Sequence, residues 1–162
     1  MTLKTMDDLF LHQLQDMYSA EKRILQALPT MSKGVETKEL KTALDKHYDE
    51  TKQHVQRLEN VFKIIGQKPK GVPCKAIEGI IGEAEEQMGA IKDEAVCDAA
   101  IIASAQAVEH YEITRYGTLL AWAKELGHTD AVDLLKQTLG EEKHADQMLT
   151  KVAEQKVNKA AA

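Results

Sequence analysis

Apolar residues recur along the chain at three- and four-residue steps, the spacing of helices that bury one face. Leu3, Met6, Phe10, Leu14, Met17, Ile24 and Leu28 form a first stripe and predict a helix from about Thr5 to Leu28, opened by a capping pair of Thr5 and Asp8. Pro29 is expected to kink or end it, and Gly34 to mark the turn. Leu40, Ala43, Leu44, Leu58, Val61, Phe62 and Ile65 form a second stripe, on a helix from about Thr37 to Ile65. Residues 66–73 hold two of the three prolines and two glycines and read as an irregular loop, followed by a short helix from Cys74 to about Ala90. Ile101, Ile102, Ala105, Val108, Leu119, Leu120 and Ala123 place a third long helix over Asp93–Leu126, stopped by Gly127. Thr129 or Asp130 caps a fourth, whose stripe is Val132, Leu135, Leu139, Met148, Leu149 and Val152, and the Lys/Ala-rich residues 156–162 are expected to fray.

Four long amphipathic helices in two pairs, each pair joined by a short turn, predict an all-α four-helix bundle of two antiparallel hairpins. The link between the pairs, residues 66–92, is far longer than the roughly 2–8 residues that join neighbouring bundle helices. It is long enough to travel the length of a helix, so it predicts a crossover carrying the short extra helix. A single crossover of this kind is the ferritin-like topology. With 162 residues the chain makes one domain, 1–162, large enough to bury a core without disulfides or structural metal, so any metal would serve function.

Charge and cysteine content exclude several classes. With 21 basic and 26 acidic side chains, net −5, the chain offers a nucleic-acid backbone little attraction, and no nucleic-acid partner is expected. No stretch approaches the roughly 20 apolar residues of a membrane span, and Met1–Phe10 carries Asp7 and Asp8 where a signal peptide would be apolar. Cys74 and Cys97 make neither a Cys-x-x-Cys motif nor a secreted disulfide framework; both read as reduced thiols in a cytoplasm.

The informative positions are those where an acid or imidazole interrupts an apolar stripe. Glu21 lies between Met17 and Ile24; His47, Glu50 and His54 lie in line between Ala43 and Val61; Glu109 and Glu112 lie between Ala105 and Tyr116; Glu141 and His144 lie between Leu134 and Met148. Glu21 is about 14 residues before the first turn and Glu50 about 15 after it, and Glu112 and Glu141 stand about as far from the second, so at 1.5 Å per residue all four share one level near mid-bundle. Carboxylates gathered there would repel and desolvate one another unless cations offset them. Oxygen-rich ligation with one or two imidazoles suits iron or manganese, and that many carboxylates suit two ions. The candidate ligands are Glu21, Glu50, His54, Glu109, Glu112, Glu141 and His144. Glu141-x-x-His144 fits the carboxylate-bundle pattern, whereas Glu50-x-x reaches Gln53, leaving His54 or His47 to supply the imidazole. His47 reads as a histidine hydrogen-bonded to a carboxylate beside the metal. Tyr18, Tyr48, Tyr111 and Tyr116 stand within about a turn of these positions and read as packing residues whose hydroxyls reach carboxylates. Met6, Met17, Met88 and Met148 read as core filler, and Glu83, Glu85 and Glu86 as a solvated face. His12, His110 and His128 read as surface residues.

Tyr18-Ser19-Ala20-Glu21-Lys22, Cys74-Lys75-Ala76-Ile77-Glu78-Gly79, Glu109-His110-Tyr111-Glu112-Ile113 and Tyr116-Gly117-Thr118-Leu119 resemble the small bacterial ferritin-like proteins of the YciE/YciF type over nearly the whole chain. The resemblance implies a rubrerythrin-like bundle, a homodimer and an association with bacterial stress responses, and it alone draws attention to Glu78. The Glu109-x-x-Glu112 pair is also similar to rubrerythrin's, but no Cys-x-x-Cys pair is present for a rubredoxin-type iron, so peroxidase turnover would need an outside reductant. The expectation is a cytoplasmic di-iron or di-manganese protein that oxidises Fe(II) with O₂ or H₂O₂. The departure at Gln53 supports an alternative, a stress-induced dimeric helical protein acting by partner binding, with a structural or vestigial metal site.

Overall fold

The first helix, α1 (Met6–Lys33), begins where a capping box satisfies its free backbone donors: the Thr5 hydroxyl accepts from Asp8 N at 3.1 Å, and the Asp8 carboxylate accepts from Thr5 N at 3.1 Å. The computed structural model describes residues 3–162; Met1 and Thr2, the first residues of the stretch read as lacking a signal peptide, lie outside the described residues. Pro29 neither ends nor interrupts α1, which continues another turn to Gly34. A proline removes one backbone donor, and here the burial of Leu28, Met31 and Ser32 on both sides of it holds the helix together. Next come α2 (Lys38–Ile64), α3 (Lys75–Ala90), α4 (Glu94–Glu125) and α5 (Thr129–Val152), with no strand among the described residues.

Side-chain bonds fix the directions. Ser32 bonds Asp45 near the α1–α2 turn while Tyr18 donates to Glu59 at 2.9 Å farther along, so α1 and α2 run antiparallel. Gln106 to Asp146 at 2.9 Å and to Thr150 at 2.8 Å sets α4 against α5, and Arg57 to Thr138 at 3.2 Å, with Lys156 just beyond α5 reaching Glu39 at 2.5 Å, sets α2 against α5. Since α1 also packs on α4, these four helices form a closed ring in which each touches two others. Near the start of α4, buried Asp98 accepts from Glu36 N at 3.0 Å and Thr37 N at 2.8 Å, capping the start of α2 from outside. The chain therefore leaves α2 at one end of the ring and enters α4 at the other, and residues 65–93 make that journey with α3 lying across α1 and α4. Glu78 and Glu85 of α3 pair with Arg23 of α1 at 3.2 and 2.9 Å, so Glu85 is not merely solvated. The loop before α3 presses onto α1 at Gly71, where an added Cβ would collide with the Ser19 hydroxyl.

Two ends differ from expectation. His128, rather than Thr129 or Asp130, occupies the cap position of α5, without a side-chain bond. The C-terminal residues expected to fray are helical, through a π turn (Ala153–Val157) into α6 (Asn158–Ala161), and Val157 is buried. Four-residue steps in an α-helix rotate by about 40° beyond a full circle. The wider π turn holds Leu149, Ala153 and Val157 on one face, where each would otherwise drift outward.

Gly127 closes α4 at φ +75°, a left-handed conformation that L side chains avoid. Gly127→Ala is expected to destabilise the chain by about 1–2 kcal/mol in urea denaturation; an unchanged midpoint would show that the turn relaxes to another conformation.

Candidate metal centre

The heptad lines of the four long helices place the site. Leu14, Glu21 and Leu28 fall in one line on α1; Leu40, His47, His54 and Val61 on α2; Ile102, Glu109, Tyr116 and Ala123, beside Ala105, Glu112 and Leu119, on α4; and Leu135, Glu142 and Leu149 on α5. The apolar members of these lines are core residues, so the polar members are buried among them. Glu21, His54, Glu112 and Glu142 have no exposed surface.

Two groups of ligand atoms converge, each within 4.8 Å: His47, Glu109, Glu112 and Glu142 in one, and Glu21, His54 and Glu142 in the other. Glu142 belongs to both. His47 Nε2 lies 3.4 Å from Glu109 and 4.0 Å from Glu112, and its Nδ1 lies 3.9 Å from Glu142. His54 Nδ1 lies 2.8 Å from Glu142 and 3.4 Å from Glu21, without the alignment of a hydrogen bond. Nine buried nitrogen and oxygen atoms on these six side chains have no hydrogen-bond partner. Buried polar atoms are nearly always paired, as the Asp98 carboxylate is. Nine orphans facing one another are the mark of a cluster that could hold metal. Its four carboxylates carry four negative charges, which two divalent cations would cancel with both imidazoles neutral.

Around the cluster, other groups aim the ligands. Tyr116, also buried, donates its hydroxyl to Glu21. His54 Nε2 meets Glu141 at 2.9 Å, and Arg57 clamps Glu141 from the far side at 2.5 and 2.9 Å. This bond fixes the outer nitrogen of His54 as a donor and turns Nδ1 toward the cluster.

The structure thus brings together Glu21, His54, Glu109 and Glu112 of the residues picked from sequence, and leaves Glu50, Glu141 and His144 outside. Glu50 is half-buried and pairs with Lys46 at 2.9 Å; Glu141 is held by Arg57 and His54; His144 is exposed. Glu142 takes the inward position on α5, and His47 joins the first group with neither ring nitrogen hydrogen-bonded, rather than bonding a carboxylate beside it. Of the tyrosines, Tyr18 reaches Glu59 and Tyr111 reaches Asp16, neither in the cluster. Met17 is core, whereas Met6 is exposed. Cys74 and Cys97 are unpaired thiols.

The model of a family described as a domain of unknown function, DUF892, matches residues 5–162. The chain belongs to the DUF892 family. It is 43% identical to Protein YciF of Escherichia coli over 162 residues, covering 99% of this chain and 98% of that one. The crystal structure of that stress protein superposes with a TM-score of 0.92 over 97% of this chain and 99% of the other. YcfI of Rhodopseudomonas palustris, provisionally described as structural, is 54% identical with a TM-score of 0.91, covering 93% of this chain and 96% of its own. A Xanthomonas campestris protein at 21% identity and TM-score 0.75 shares the fold. The resemblance carried by the Tyr18–Lys22 and Glu109–Ile113 motifs is thus one of family.

In this DUF892 chain, the metal-free charge state follows from burial. Burial first, then the Glu142 charge, pushes the Glu109 and Glu112 carboxyls well above the ordinary range. Burial also works to raise Glu142, but His54 and His47 hold it below its ordinary value. For His54, burial favours the neutral ring, and the adjoining Glu21 and Glu142 overcome it, raising the imidazolium to about 11. Without metal, burial and the neighbouring charges favour protons on Glu109, Glu112 and His54. No described helix is long and apolar enough to cross a membrane.

Proposed function

We propose that this chain is a ferritin-like four-helix-bundle protein whose six-residue cluster holds two iron ions, with manganese as the alternative, and that it oxidises Fe(II) with O₂ or H₂O₂. The observation that carries the reading is the set of nine unpartnered polar atoms on Glu21, His47, His54, Glu109, Glu112 and Glu142. Bound iron supplies electrons and Lewis acidity to the oxidant. Glu142, common to both groups of ligand atoms, would be shared between the two sites, and His47 and His54 would supply one imidazole to each. Tyr116 orients Glu21, Glu141 orients His54, and Leu14, Leu28, Leu119 and Leu135 pack above and below the cluster. The reading assigns this activity to bacterial stress response in a cytoplasmic homodimer, and kinship with a stress protein supports the first of these.

Anaerobic loading with Fe(II), followed by metal analysis and addition of O₂ or H₂O₂, tests this. Two irons per chain and an absorbance change on oxidant addition are expected; a chain that retains no iron would refute the reading. The partner-binding alternative gains from the Arg57–Glu141–His54 chain, which orders part of the cluster without metal, and from likeness to YcfI. Under it, Glu112→Ala would leave partner capture intact.

A further inference from the structure

Between α2 and α5 a groove of about 650 Å³ opens to solvent and ends on His47 and Glu109. A water occupies about 30 Å³ of liquid, so the groove is far larger than Fe(II), O₂ or H₂O₂ requires and falls in the range of small-molecule sites. Its walls are Ala43, Leu44, Ala145, Met148, Leu149 and Val152. Ala43, Ala145, Met148 and Val152 are only half-buried, an apolar stripe whose outer side no described residue covers. From Lys38 to Glu50 the groove follows α2 for about 18 Å, at 1.5 Å per residue. Along its rim Lys46 is neutralised by Glu50, and Glu39 by Lys156, whereas Lys38 and Lys151 make no ion pair among the described residues. Both stand toward the end away from Glu50 and His144. The inner end presents the opposite chemistry, both His47 ring nitrogens and Glu109 Oε2, buried and without hydrogen-bond partners. Elongated along α2, largely apolar, with two unpaired lysines at one end and the cluster at the other, the groove has the shape and charge of a site for a straight-chain amphiphile.

We propose that this groove binds a straight-chain carboxylic acid, its carboxylate at Lys38 and Lys151 and its alkyl tail along Ala43, Ala145 and Met148 to His47. The site exists whether or not the cluster holds metal; only the placement of the tail beside a metal centre rests on the function proposed above.

The test uses the metal-free full-length chain and displacement of a fluorescent fatty-acid analogue by a series of saturated fatty acids. Saturable one-to-one binding is expected, tightening about three- to four-fold per added methylene until the groove is full. Ala145→Phe should weaken binding at least ten-fold by filling the groove, and Lys38→Glu with Lys151→Glu about ten-fold by reversing the rim charge, with unchanged circular dichroism. Absence of saturable binding, or equal affinity in these variants, overturns the proposal. So does sedimentation showing that Ala145→Phe breaks a dimer, which would assign the stripe to a second copy of the chain. Because no metal is present, a negative result leaves the Fe(II)-loading outcome untouched.

Discussion

Glu142→Gln is expected to abolish loading of both metal ions, while Glu141→Gln keeps two ions at an affinity lowered about 10–100-fold, the usual effect of losing an outer partner of a ligating histidine. Neighbours in sequence, the two carboxylates differ in every respect that matters to a cation. Glu142 has no exposed surface, offers two unpartnered oxygens and belongs to both groups of converging atoms. Glu141 has a side chain 24% exposed and spends its oxygens on Arg57 and His54. Glutamine preserves volume in both variants, so a change in metal content measured by anaerobic equilibrium dialysis reports ligation rather than packing. Loss of both ions in the Glu141 variant with retention in the Glu142 variant would reverse the assignment.

The same pair shows where sequence reasoning stopped. Height along a bundle is forgiving, since one residue changes it by 1.5 Å, whereas one residue turns a helix by 100°. Counting from the turns put Glu21, Glu50, Glu112 and Glu141 at one level, and the cluster does lie at that level. Azimuth is what separates Glu142 from Glu141, and His47 and His54 from Glu50. The Glu-x-x-His spacing points to Glu141 and His144, yet the heptad neighbours of Glu141, Leu134 and Met148, are only half-buried and those of His144, Gln137 and Lys151, are exposed, while those of Glu142, Leu135 and Leu149, are core. Heptad register was present in the sequence and would have selected Glu142. Glu21, Glu109 and Glu112 stand out because core residues, Tyr116 among them, flank them on both sides. The Glu141–Arg57 clamp had no sequence signal, because it joins positions 84 residues apart whose meeting depends on which faces of α2 and α5 turn toward each other.

Helix existence and order were legible throughout, since capping, glycine stops and apolar stripes agree with one another. The ends were less so. Pro29 lies inside α1 because burial outweighs a lost donor, and the C-terminal residues are drawn onto the core by Val157, one apolar residue in a tail whose composition reads as solvated.

The metal-free chain should lose stability as pH rises from about 5 to 8, and bound Mn(II), a redox-quiet probe, should restore more of it at each step. Glu109 and Glu112 are raised above their ordinary 4.5, and His54 above 6.5 to about 11, so across this window the folded chain holds protons that the unfolded chain releases. Stability is full below the unfolded values and falls as pH climbs toward the folded ones, by at most about 1.4 kcal/mol per pH unit for each proton retained. Glu141 and Glu142 are shifted down, and their contribution is lost only below about 4.5, outside the window. Metal ligands must be deprotonated, so each ion displaces protons from Glu109, Glu112 and His54 and binds more tightly as pH rises. Urea melts at pH 5, 6.5 and 8, with and without Mn(II), should therefore diverge, nearly coinciding at the acid end and separating widely at the alkaline one. Glu112→Gln removes one of the retained protons and should flatten the metal-free slope while weakening the Mn(II) effect. A metal-free stability that rises with pH would mean that these carboxyls are ionised in the folded chain, and that something other than protons or metal neutralises the cluster.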